Sequence, residues 1–359
     1  MSEKTVVLSA INENEVSKFH ERVMQDVAAM AGVACAAIGD RLGLYRAMAV
    51  LGDVTPAELA NKTGLDERFL RDWLINQAAG GYVKYDTITS KYSLPIAHAC
   101  VLADENNPLF AAGAFQMFTA LSRAVPRIAE CFRSGTGMSW GEQDPEVFTG
   151  TERLFRPIYV NLLTTNFVEA IPGLKEQLQA GIEVADIGCG HGISTIEMAR
   201  AFPKSRFYGF DNHVPSIERA SQRAQSLGVA DRVWFSAANA DKIAGSGYGL
   251  VMFCNSLHDM GDPIGACRRA GEVLAKNGCI MVVEPMGGNR VDENFNTIGR
   301  ALSGASVLCC TPNAVATGNH ALGAVAPDFE LEKIAKAGGL SIFRRVLQTP
   351  LNRVFEARK

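Results

Sequence analysis

The chain reads as an α/β protein in which a mostly parallel seven-stranded sheet, closed by an antiparallel terminal hairpin, follows a mostly helical N-terminal region. Three observations carry that reading. First, strand-length segments fall at 182–187, 206–211, 232–237, 249–254, 278–284, 341–347 and 350–356, with helical patterns between the first five. Second, runs such as Leu250-Val251-Met252-Phe253 and Ile280-Met281-Val282-Val283 are apolar at every position, as suits strands buried on both faces of a parallel sheet. Third, the last two segments are too close for a crossover helix, so they pair antiparallel. A length of 359 residues and 47% hydrophobic content predict two domains with sizeable cores.

The N-terminal elements follow in order. Residues 17 to about 50 read as two helices, the second carrying Ile38, Leu42, Leu44, Tyr45 and Met48. Thr55-Pro56-Ala57-Glu58 is a capping box with proline at the first helical position. The next helix starts at Asp66, presents Phe69, Leu70, Trp73, Leu74 and Ala78, and stops at Gly80-Gly81; Tyr82–Tyr85 and Lys91–Leu94 then form a hairpin. Helix, turn, helix and hairpin make a winged-helix pattern over residues 1–105. DNA binding needs a basic face, yet residues 1–100 hold 10 Lys+Arg against 12 Asp+Glu. A dimerisation and substrate-lid role is favoured, with a homodimer expected. Residues 106–178 read as a helical, aromatic linker or lid in which Ser134-Gly135-Thr136-Gly137 is a hinge, and 179–359 as the catalytic domain.

The densest signal is Val184-Ala185-Asp186-Ile187-Gly188-Cys189-Gly190-His191-Gly192, a strand running into alternate glycines and then a helix with Ile193, Ile196, Ala199 and Phe202 on one face. Such a bend needs residues without a side chain, and the amides at the helix start favour an anionic group. A dinucleotide fingerprint would place its third glycine at Ile193, which weakens the NAD reading. Asp211 ends the second strand, where a carboxylate can accept ribose hydroxyls.

Chemistry in such a sheet belongs in the loops after the strands. The fourth strand leads to Asn255-Ser256-Leu257-His258-Asp259-Met260, followed by Asp262-Pro263 as helix cap and first turn; the fifth ends in Glu284-Pro285. His258 is the candidate general base, with Glu284 orienting it and Asp259 beside it. The alternative for His258 is a histidine that only hydrogen-bonds neighbouring backbone.

The D-x-G-x-G-x-G motif at Asp186–Gly192 resembles motif I of class I S-adenosylmethionine (SAM) methyltransferases. Together with F-D-N-H-V-P-S-I-E-R-A, L-H-D-M-G-D-P, V-E-P, N-x-N-x-x-G-R at Asn294–Arg300 and C-T-P-N at Cys310–Asn313, the chain is similar to bacterial SAM-dependent methyltransferases with an N-terminal winged helix, and more distantly to plant-type O-methyltransferases. The resemblance implies a Rossmann-like catalytic sheet and SAM as cofactor. It implies a cofactor set of Asp186, Gly188, Gly190, Gly192, Asp211, Asn212, Asn239, Ala240 and Asn255, with His191 and His213 nearby. The acceptor would meet Tyr159, Met260, Asn294 and Arg300. Gly249 departs from the pattern, where an Asp commonly opens the strand.

The leading expectation is therefore methyl transfer to a small-molecule acceptor, on oxygen first, with no metal in the site. Two other readings stand beside it: a SAM-binding winged-helix transcriptional regulator, and a metal-dependent C-methyltransferase using His258, Asp259 and His320. A net charge of -3 gives no reason to expect nucleic acid or a membrane surface, and no stretch reaches about 20 uninterrupted apolar residues. Nine cysteines without a C-x-x-C pair, and no leader pattern at the start, fit a cytoplasmic protein.

Overall fold

A computed structural model describes residues 12–318 and 320–359. The chain divides into two compact units, with the change between Phe115 and Gln116. The expected lid, 106–178, is thus not a separate body: from Gln116 onward it belongs with the sheet.

The first unit begins with α1 (Glu13–Arg41), α2 (Leu44–Leu51), α3 (Pro56–Thr63) and α4 (Glu67–Ala79). Asn12 caps α1, and the Thr55/Glu58 capping box starts α3. Strands β1 (Lys84–Asp86) and β2 (Lys91–Ser93) form the wing, and α5 (Ile96–Leu102) follows. Val54 and Tyr92 exchange backbone hydrogen bonds of 2.8 and 2.7 Å, which extends the hairpin to a third segment. Leu44, Tyr45, Met48, Leu59, Trp73 and Leu74 make its core. In α4 both arginines pair at the surface with nearby carboxylates, Arg68 with Asp66 and Arg71 with Glu67.

Helix α1 departs from expectation. By length and composition it could cross a bilayer, with 29 residues and a mean hydropathy of 1.3 over its most apolar window. Its apolar side chains nevertheless form a stripe. Val16, Phe19, Val23, Val27 and Met30 recur at helical spacing and are exposed, Phe19 by 70% and Met30 by 69%.

The second unit opens with α6 (Ala112–Leu121, spanning the division), α7 (Val125–Ser134) and α8 (Pro145–Ile158), the last continuing as a π-helix over Tyr159–Phe167. The Gly135–Gly137 break is anchored rather than a free hinge. Met138 N–H donates to Pro312 O at 3.0 Å, and a Cβ on Gly137 would collide with the backbone of Pro312 and Ala316. Then come α9 (Leu174–Ala180), β3 (Glu183–Ile187), α10 (Ile193–Ala201), β4 (Arg206–Asp211), α11 (Val214–Ser226), β5 (Val233–Ala237), β6 (Tyr248–Cys254), α12 (Pro263–Val273) and β7 (Leu274–Pro285). Helices α13 (Thr297–Ala305), α14 (Thr311–Thr317) and α15 (Asp328–Ala337) precede β8 (Ile342–Gln348) and β9 (Asn352–Arg358).

The sheet order is β5-β4-β3-β6-β7-β9-β8, parallel except for the antiparallel pairs β7–β9 and β8–β9. Two apolar layers cover it, one built around Leu163, Phe167, Leu250 and Met252, the other around Val251, Phe253, Ile280 and Leu331. The order reverses on either side of β3 and β6, which puts the ligand crevice at the ends of those strands. Gly249 has a packing reason: a Cβ there would lie 2.9 Å from Ile182.

Candidate active site

Past Ile187 the chain bends through Gly188, Gly190 and Gly192, with φ of 75°, 52° and 76°, into α10. The three glycines answer different demands. A Cβ on Gly188 would strike Ser256, and one on Gly192 would strike Phe235 and Ala220. A Cβ on Gly190 would meet nothing within 4 Å. Gly190 is therefore where a ligand can approach the bare backbone.

Two carboxylates frame the bend. Asp211 accepts the N–H groups of Gly190 and His213, each at 2.9 Å, so it anchors the glycine turn and keeps further lone pairs for a ligand. Asp186 is fully buried. Its Oδ2 accepts Ser194 Oγ–H at 2.6 Å and Thr195 Oγ1–H at 2.7 Å, while its Oδ1 has no hydrogen-bond partner. Burial outweighs those two hydroxyls and pushes the carboxyl up to about 6. The ammonium of SAM is a group that would meet this unfilled demand, and the bare Gly190 backbone leaves room beside it; the residues fit that cofactor. Asn212 and Asn239 are exposed after β4 and β5, and Ala240 is half-buried. Asn255 adopts a left-handed φ of 54° after β6, a conformation held by Asn255 Nδ2 donating to Tyr159 Oη at 2.8 Å and by Asn352 Nδ2 donating to Asn255 Oδ1 at 3.0 Å.

The bend is also held from α8. Glu152 accepts from Arg223 at 2.5 Å and lies 2.7 Å from His191 Nδ1, with Arg219 3.3 Å away. Phe148, one turn earlier, stacks on His213 at 4.4 Å between centroids.

Across the crevice a short turn, Leu257–Asp259, follows β6, and β7 brings Glu284 alongside. His258 Nδ1 lies 2.5 Å from Glu284 Oε2, both side chains buried. That contact fixes the imidazole so that Nε2 points toward Asp259 Oδ1, 3.3 Å away, and Cys310. Burial opposes the imidazolium, but the charges of Glu284 and Asp259, with hydrogen bonds donated to Cys310 and Glu284, outweigh it and hold the His258 pKa well above its ordinary value. Behind Glu284, its cross-strand partner Arg353 is buried, donating to Pro285 O and Ala326 O and pairing with Asp328 at 2.7 Å.

Residues 29–104 match the Rv2258c-like winged HTH domain family, and residues 178–325 match the methyltransferase domain family. The chain therefore joins a winged HTH domain to a methyltransferase domain. Over 147 residues it is 31% identical to the 27-O-demethylrifamycin SV methyltransferase of Amycolatopsis mediterranei, covering 39% of this chain and 53% of that one. The chain thus spans about half the length of that curated relative. Among solved structures, the mitomycin 7-O-methyltransferase MmcR has a TM-score of 0.71 at 18% identity, over 97% of this chain and 100% of that one. Human N-acetylserotonin methyltransferase in complex with SAM has a TM-score of 0.70 at 16% identity, over 95% and 97%. At these identities the two structures establish the fold.

The acceptor residues expected from sequence scatter. Met260 is half-buried, its Cε 3.6 Å from where a Gly188 Cβ would lie, so it does sit at the mouth. Tyr159 is buried instead, its hydroxyl donating to Cys254 O at 3.2 Å and accepting from Asn255, a brace for the strand end rather than an open wall. Asn294 braces its own loop: Oδ1 accepts Gly288 N–H at 2.9 Å and Nδ2 donates to Arg290 O at 3.2 Å. Arg300 is exposed on α13. His320 does not join His258 and Asp259; among the described residues the third donor in reach is Cys310. Glu152, Arg223, Arg353 and Cys310 were missed, because nothing in their own sequence neighbourhood marks them; only the matched wording C-T-P-N passes through one of them.

Proposed function

We propose that this methyltransferase moves the SAM methyl group to an oxygen of a small, flat, hydroxylated aromatic acceptor, with His258 as general base, Glu284 as its orienting partner and Asp259 beside them. The observation that carries the reading is the 2.5 Å His258 Nδ1–Glu284 Oε2 contact, which leaves Nε2 directed away from Glu284. Bound SAM supplies a methyl group on a sulfonium, already a good leaving group, so the chain's main contribution is positioning. As the acceptor oxygen bonds to that carbon, the neutral form of His258 takes the hydroxyl proton at Nε2, and Glu284 stabilises the resulting imidazolium. Asp186, the Gly188–Gly192 bend, Asp211, Asn212, Asn239, Ala240 and Asn255 hold the cofactor, and Met260 stands on the acceptor side with Trp140, which donates to Asp259. Support for an aromatic acceptor comes from a fold neighbour, NcsB1 (TM-score 0.61, 19% identity), whose structure holds S-adenosylhomocysteine and 1,4-dihydroxy-2-naphthoic acid.

The test is a mass-spectrometric screen of phenols, hydroxy acids and amines with methyl-labelled SAM. Label on an aromatic oxygen, lost in His258→Ala, is the expected result. A protein that binds SAM yet labels nothing in the screen or in a cell extract would sink the reading. Two finer points belong to the same proposal. The exposed stripe of α1 suits pairing with a second copy of the chain, and the nine free cysteines suit a reducing cytoplasm. Sedimentation of the wild type against Phe19→Lys checks the first.

A further inference from the structure

We propose that His258 Nε2, Asp259 Oδ1 and Cys310 Sγ form a binding site for a thiophilic divalent cation, zinc in particular, whose occupancy switches methyl transfer off. The switching half rests on His258 being the base; the site itself does not.

The ligand atoms of these three residues all lie within 4.8 Å of one another, and all three residues are buried. Nitrogen and oxygen ligands about 2.0 Å from a tetrahedral zinc stand roughly 3.3 Å apart. His258 Nε2 and Asp259 Oδ1 are 3.3 Å apart before any metal arrives. Two further observations point to a ligand. Among the described residues Asp259 Oδ1 is a buried carboxylate oxygen with no hydrogen-bond partner. In addition, Glu284 holds Nδ1 of the same imidazole at 2.5 Å, the outer carboxylate that ligating histidines use to fix their tautomer and raise their basicity.

The donor set selects the ion. One thiolate, one imidazole and one carboxylate suit zinc or cobalt and disfavour magnesium or calcium, which take oxygen ligands. Binding releases two protons to solvent, one from the Cys310 thiol and one from the His258 imidazolium, and the cation then occupies the Nε2 lone pair that would accept the acceptor's proton. Three protein ligands leave the fourth position of a tetrahedral ion to water, the arrangement of an exchangeable rather than a permanent ion.

The experiment titrates the full chain with cobalt(II) and follows thiolate-to-cobalt absorption in the near ultraviolet, with zinc as competitor. The band is expected in the wild type, unchanged in Cys309→Ser, whose side chain packs in a neighbouring apolar cluster, and absent in Cys310→Ser. Binding of S-adenosylhomocysteine reports whether each variant is folded, and native mass spectrometry of the wild type counts bound zinc without any substitution. Micromolar zinc should lower methyl transfer about tenfold or more in the wild type, reversibly with a chelator, and leave Cys310→Ser active. No band, no bound zinc, or a band that survives Cys310→Ser overturns the site. A band that depends on Cys310 together with zinc-insensitive methyl transfer overturns the switch and, separately, His258 as base.

Discussion

The two sides of the crevice are built differently. On the cofactor side, one bend of nine consecutive residues does most of the work: Asp211 accepts the Gly190 amide, and the side of Gly190 where a Cβ would stand is open. On the acceptor side, side chains from separate segments converge, His258 and Asp259 after β6, Glu284 at the end of β7, and Trp140, between α7 and α8, against Asp259. A backbone site tolerates little variation in residue type, whereas a side-chain site can be re-furnished one position at a time. In the proposed function the first side binds the cofactor and the second sets what is methylated.

Substitutions can break this contrast, and the largest effect is expected on the backbone side. Gly190→Val places a branched side chain at a left-handed φ of 52° and fills the space beside the bend, so calorimetry should find SAM binding abolished. Next, His258→Ala should lower kcat by about 10²–10⁴ with SAM affinity within a factor of two or so, since it removes proton transfer alone. Equal loss of SAM affinity would show that the two sides are not separable.

Glu152 sharpens the comparison from the direction of stability. Burial raises its pKa, but His191 and Arg223 hydrogen bonds and the charges of Arg223 and Arg219 prevail and lower it from 4.5 to about 2. The folded pKa lies below the unfolded one, so the stabilisation is present above about pH 4.5 and fades as pH falls toward 2. Its size is on the order of 2–3 kcal/mol. Denaturant unfolding of the wild type and Glu152→Gln should differ at pH 7 and converge in acid; a constant gap would mean the charge is not the cause. The smallest effect is expected from Arg300→Ala: an exposed α13 residue should change KM by less than about threefold, and a larger rise would restore its expected acceptor role.

Much of this was legible beforehand. The strand at Arg206–Asp211 and the terminal hairpin were readable because period and spacing encode them locally. Likewise the His258–Glu284 pair follows once β6 and β7 are adjacent and parallel, since both residues lie just beyond strand ends. The acceptor residues were less legible for a reason visible in Asn294 and Tyr159. An amide or a phenol in a matching stretch looks the same whether it braces a loop or faces a ligand. The apparent hinge at Gly135–Gly137 failed similarly, because glycine marks close packing as readily as freedom.

By itself, then, the sequence determined the order of strands and helices, the glycine bend and the winged-helix pattern, all set by interactions between residues near in the chain. Only the tertiary structure decided that Glu152 reaches the bend from α8, that Arg353 lies behind Glu284, and that Cys310 faces His258. Those contacts join residues 39 to 71 positions apart, and their chemistry exists only after packing has removed water and brought the partners together.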